Sequence, residues 1–205
     1  MGGITAGTLP WYISRATGVV ALVLLTAVMV IGILVNRQGR LPGLPRFAVT
    51  NLHRNLSLMA VVFIVIHVVT AVLDGYVRIP LVSGVVPFTS GYERFWLGIG
   101  AVSLDLMLAL IVTSLIRGRL SHRVWKAVHW LAYASWPVAF AHSIGSSADL
   151  QGGPLLWLAV LCAAALAAAL AWRLVTAARQ VPRAQRVSAV LTAASERRLE
   201  KADRR

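Results

Sequence analysis

Four of the five histidines in this chain stand at intervals that could hold iron. His53 and His67 bracket the stretch "HRNLSLMAVVFIVIH", 14 positions apart; His129 and His142 bracket "HWLAYASWPVAFAH", 13 positions apart. Both stretches are apolar enough for a bilayer, where an ionisable side chain is costly and usually functional. Two imidazoles at one depth on neighbouring helices are what a bis-histidine haem needs, one ring nitrogen on each face of the iron. Two such levels would stack two haems, about 20 Å apart at the rise of an α-helix. The plain alternative is four polar contacts between helices. Zinc and copper fit poorly, because each level offers two nitrogens with no Cys, Asp or Glu beside them. His122 lies in the basic stretch "RGRLSHR" and reads as solvated.

Helices must position these rings, and the composition supplies them. The 205 residues are 58% hydrophobic with a mean hydropathy of +0.75, which points to a multi-pass membrane protein. Five segments are long enough to span, running over 11–35, 52–73, 95–115, 125–144 and 154–177. The expected fold is an all-α bundle of five transmembrane helices. Of the 20 Lys and Arg, all but Arg15, Arg78 and Arg94 fall on the links after spans one and three, the adjoining span ends and the C-terminal tail. Basic links stay in the cytoplasm, so the N-terminus is expected outside and the C-terminus inside, in a cell inner or plasma membrane. The net charge of +13 is then a topology signal and a source of anionic-lipid contact, not a nucleic-acid interface. The single cysteine, Cys162, excludes a CxxC pair or an iron–sulfur site.

The expected division is a haem-binding transmembrane domain over 1–178 and a basic cytoplasmic tail over 179–205. Val187, Val190, Leu191 and Ala194 recur in the tail at helical spacing, as in an amphipathic helix on the membrane surface. No Gly-rich phosphate loop occurs, so no flavin or nucleotide site is expected in this chain. The link "DGYVRIPLVSGVVPFTSGYER" is apolar and is expected to fold back over the outer face of the bundle.

Spans two and four both follow a cytoplasmic link, so both run outward. His53 then shares an inner depth with His129, and His67 an outer depth with His142. At about 100° per residue, 14 positions return a side chain to within about 40° of its start, whereas 13 leave it about 140° away. Pro137 lies between His129 and His142, and a bend there would re-aim His142.

Other residues have two readings each. Arg15 and Arg54 could pair with haem propionates, or serve span ends and topology. Asp105, in mid-span, reads as a neutral carboxyl bonded to a neighbouring helix, with a proton relay as the functional alternative. Trp130, Trp136, Phe63 and Phe140 flank the ligands and read as packing. Gly18, Gly98 and Gly100 allow close approach of a helix or a macrocycle.

With its "WYISRATGVVAL", "LHRNLSLMAVVFIVIH", "IVTSLIRGRL" and "WKAVHWLAYASWPVAFAH", the chain resembles the ferric reductase-like transmembrane domain family. That family includes ferric reductases, NADPH oxidases and MsrQ-type haem-binding membrane subunits. The resemblance covers roughly 11–178. It implies b-type haem, two groups or one, with His53 and His129 as one ligand pair and His67 and His142 as the other. It also implies transmembrane electron transfer as an oxidoreductase component. The chain departs from the larger oxidases in having five expected spans where they have six, and in carrying no cytosolic flavin and nicotinamide domain. A separate cytosolic reductase or quinol would therefore donate, and an extracytoplasmic protein, ferric iron or oxygen would accept. A one-haem anchor subunit and a non-redox small transporter are the alternatives.

Overall fold

The computed structural model describes residues 9–35, 45–75, 77 and 79–203. The basic link at 36–44 and Arg78 lie outside the described residues, as do the side chains of Val187, Val190, Leu191 and Ala194. The helices are α1 (Leu9–Val35), α2 (Arg46–Leu73), α3 (Arg94–Leu115), α4 (His122–His129), α5 (Ala132–Ser146), α6 (Ala148–Gln151) and α7 (Gly153–Asp203). No strand occurs among the described residues. Among the described residues four helical stretches are long and apolar enough to cross a membrane: Leu9–Leu34, Phe47–Leu73, Arg94–Leu115 and Gly153–Ala178.

Contacts divide the chain into two units, Met1–Leu166 and Ala167–Arg205. In the first, α1 lies along α2, α3 lies along α5, and α5 also meets α1. In lipid no hydrophobic force drives large side chains inward, so small residues take the helix contacts. Ala21, Ala60 and Ala101 are buried accordingly, whereas Leu58, Met59, Val62, Val65, Ile66 and Val69 of α2 face outward. Polar ties cross the contacts. The Trp136 indole N–H donates to the Thr26 hydroxyl at 2.9 Å, joining α5 to α1. The Ser103 hydroxyl donates to the Ser135 carbonyl at 3.3 Å, joining α3 to α5. The second unit is the remainder of α7.

The expected continuous span over 125–144 is corrected: the helix is divided after His129. Pro137 has no N–H for the carbonyl four residues back, and its ring crowds that carbonyl. The turn before it tightens, with Tyr133 N–H donating to the Trp130 carbonyl and Ala134 N–H to the Leu131 carbonyl, both at 3.0 Å. A tightened turn advances about 120° per residue instead of about 100°, which narrows the angular gap between His129 and His142. α4 is capped by Ser121, whose hydroxyl accepts the Val124 N–H at 3.3 Å.

The link after α2 is ordered around a 3-10 turn, Leu81–Gly84, that packs on α3. Phe88 takes a left-handed backbone (φ 64°), and its ring lies over Gly98 of α3, where a Cβ would collide with it.

Candidate functional site

α2 carries His67 and α5 carries His142, and their ring centroids lie 6.3 Å apart at an interplanar angle of 73°. Two metal–nitrogen bonds of about 2 Å each, with a ring beyond each bond, put axial imidazole centroids roughly 6 Å apart. The spacing therefore fits one iron between the rings.

The other nitrogen of each ring is held. His67 Nδ1 donates to the Ser14 carbonyl at 2.7 Å, and His142 Nδ1 donates to the Trp96 carbonyl at 2.9 Å. A carbonyl can only accept, so both Nδ1 atoms carry the proton and both Nε2 atoms keep a lone pair. An imidazole that ligates through one nitrogen and donates from the other to a carbonyl is the usual oriented metal ligand.

Glycine makes the approach possible. A Cβ at Gly18 would stand 2.9 Å from the His67 ring, and one at Gly100 would stand 2.7 Å from the His142 ring. Each glycine sits four residues after the carbonyl that accepts from the same ring. The Cε1–Nδ1 edge of the imidazole thus lies against a bare helix turn, and Nδ1 reaches the carbonyl below it. A third instance lies further along α1, where a Cβ at Gly32 would be 3.3 Å from His53. Gly18 and Gly32 are separated by the same 14 positions as His53 and His67, because α1 and α2 run antiparallel.

His53 and His129 are held differently: both Nδ1 atoms are buried without a hydrogen-bond partner among the described residues. The Val28 carbonyl, four residues before Gly32, lies beside His53 but short of hydrogen-bond geometry. The Trp125 ring stacks on His129 at 4.8 Å and 18°, and the Arg117 guanidinium covers Trp125 at 4.3 Å. Among the described residues no three His, Cys, Asp or Glu side chains gather as a metal site.

A cavity of ≈ 290 Å³ opens between α1, α2, α3 and α5, with His67, His142, Gly18 and Gly100 on its wall. Its size is about ten times a water's share of the liquid, so it is ligand-sized and not a packing defect. Arg15 also lines it. The Arg15 guanidinium pairs with Asp149 at 2.6 Å, donates to the Ser147 hydroxyl at 3.3 Å and covers the Trp11 ring at 4.3 Å, while its Nε is buried without a partner. Arg54 is exposed on α2 and does not line this cavity.

Asp105 is half-buried on α3, outside the cavity wall. The neighbouring-helix hydrogen bond expected for it is not made among the described residues. Trp136 is buried and stacks on Phe140 at 4.9 Å, in a packing role. Gly32, Trp125, Asp149 and the Ser14 and Trp96 carbonyls escaped the sequence reading. The 14-residue interval between Gly18 and Gly32, matching that between the α2 histidines, was the one available signal.

A family model described as "Ferric reductase like transmembrane component" matches residues 17–140, more than half of the chain. The matched stretch holds His53, His67 and His129, and His142 lies two positions beyond it. No curated protein and no solved structure matches.

Proposed function

The chain belongs to the ferric reductase-like transmembrane family, and from that premise we propose that it carries electrons across a membrane on b-type haem. The observation that carries this reading is the His67–His142 pair: rings 6.3 Å apart, each with its Nδ1 proton given to a carbonyl and its Nε2 free. A haem bound there would supply an iron that takes and gives one electron at a time.

The chain's own residues have defined tasks. His67 and His142 would hold one iron through Nε2, and His53 and His129 would hold the other. The Ser14 and Trp96 carbonyls keep the Nδ1 protons in place and fix the ring planes. Gly18 and Gly100 leave room for the rings. Leu22, Leu25, Val68 and Leu104 give the cavity an apolar wall. Arg15 at the same cavity would serve a propionate, in competition with Asp149. Arg54 would serve a propionate at the His53 end.

The membrane is crossed five times: by α1, α2, α3, α4 with α5, and the first part of α7. Positive links on one side argue for an outer N-terminus and a cytoplasmic tail. His53 and His129 then form the inner level. Haem bound at the two levels would let electrons from a flavin reductase or a quinol reach an extracytoplasmic protein, ferric iron or oxygen. A one-haem anchor subunit is the second reading. It is favoured by the contrast between the levels, since both Nδ1 atoms are hydrogen-bonded only at His67 and His142.

The test is a reduced-minus-oxidised absorbance spectrum of the detergent-purified chain, with haem quantified against protein. Two low-spin b-type haems per chain are expected. One per chain selects the anchor-subunit reading. None, from haem-replete cells, overturns electron transfer.

A further inference from the structure

The four histidines are not oriented by one device. His67 and His142 each have a bare glycine turn and a carbonyl, and His53 lies against Gly32 beside the Val28 carbonyl. Among the described residues no glycine seats the His129 ring, and the His129 Nδ1 is buried without a hydrogen-bond partner.

A flat ring with no hydrogen bond at Nδ1 can turn about its own side-chain bonds. Trp125 removes that freedom. It sits one helical turn before His129 on α4, the i to i+4 spacing that puts side chains on one face. The two rings are nearly parallel, 18° apart. The Arg117 guanidinium also covers the Trp125 ring at 4.3 Å, a cation–π contact that further restrains the indole.

We propose that Trp125, covered by Arg117, is the positioning residue for His129, replacing by stacking the glycine–carbonyl seat used at His67 and His142. It follows that His129 is the ligand most readily released when its neighbour is changed. The inference rests on the haem reading above, and the experiment separates the two.

The full chain is purified in detergent as wild type, Trp125→Ala and Trp125→Phe. Haem per chain, low-spin fraction and carbon monoxide binding to the reduced protein are then measured. A bis-histidine iron has no open position for carbon monoxide. In Trp125→Ala, half of the haem is expected to turn high-spin and bind carbon monoxide, or to be lost, while the other half is unchanged. Trp125→Phe, which keeps a stacking ring, is expected to restore the low-spin, carbon monoxide-inert state. Should the alanine variant not accumulate, Trp125→Leu keeps volume without a flat ring, and the same outcomes apply. An unchanged spectrum in the alanine or leucine variant overturns the proposal. So does equal damage to both haems, or damage that phenylalanine does not repair. A wild-type chain without haem overturns the electron-transfer reading itself, before any variant is compared.

Discussion

His67 on α2 and His142 on α5 present their rings to one another at 6.3 Å, each anchored by its Nδ1 to the backbone of a third helix. The anchor for His67 is α1 and that for His142 is α3. Four helices therefore meet at this one pair. If the pair shares an iron, His67→Ala and His142→Ala each lose one haem per chain and keep the other. Haem-to-protein ratios check this, and equal loss of both haems from either change would leave the division into levels without support.

The glycine seats predict a steric effect of a single methyl group. Gly18→Ala and Gly100→Ala set a carbon within 2.9 and 2.7 Å of a ring, so the ring or the helix must move. Well-packed sites resist such overfilling at a cost of about 1–3 kcal/mol. Both variants are expected to retain less than half of the wild-type haem at the His67–His142 level. Gly91→Ala, with no neighbour within 4 Å, is expected to match the wild type. Titration of the apo-protein with haemin compares the three.

Among the described residues, α1 and α5 are joined by a hydrogen bond between two buried groups, Thr26 and Trp136. Thr26→Val keeps the shape and removes the acceptor, which strands the indole N–H. A loss of about 1 kcal/mol is expected, near the usual worth of an interhelical hydrogen bond in a membrane protein. Thermal unfolding in detergent measures it. An unchanged midpoint would mean that another acceptor takes the N–H.

Topology can be tested at two glycines with open space around them, Gly118 before α4 and Gly152 after α6. The native Cys162 is buried and gives a low background. With a membrane-impermeant thiol reagent on intact cells, Gly152→Cys is expected to label and Gly118→Cys to label only after the membrane is opened. Labelling of both from one side would mean that α4 and α5 do not cross, and the five-span arrangement would fall.

Much of this protein is written in local pattern. Apolar runs of membrane length mark α1, α2, α3 and the first part of α7, because spanning depends on the composition of one contiguous stretch. The histidine intervals of 14 and 13 are also local, and the first sets both rings on one face of α2. The divided span between His129 and Ala132 was less legible. Pro137 announces a disturbance, but the tightened turn forms several residues before it, where the freed carbonyl and the ring crowding are relieved.

Tertiary structure decided what no interval could. Ser14 and His67 are 53 positions apart, and nothing in either neighbourhood says that one carbonyl will hold the other's ring. The same holds for Trp96 with His142, and for Arg15 with Asp149. These are pairings between helices, fixed by the rotation and register that packing of small residues allows. A sequence states which side chains a helix can offer along each face. Only the packed bundle settles which carbonyl lies beneath a glycine, and therefore which nitrogen of each imidazole is left free.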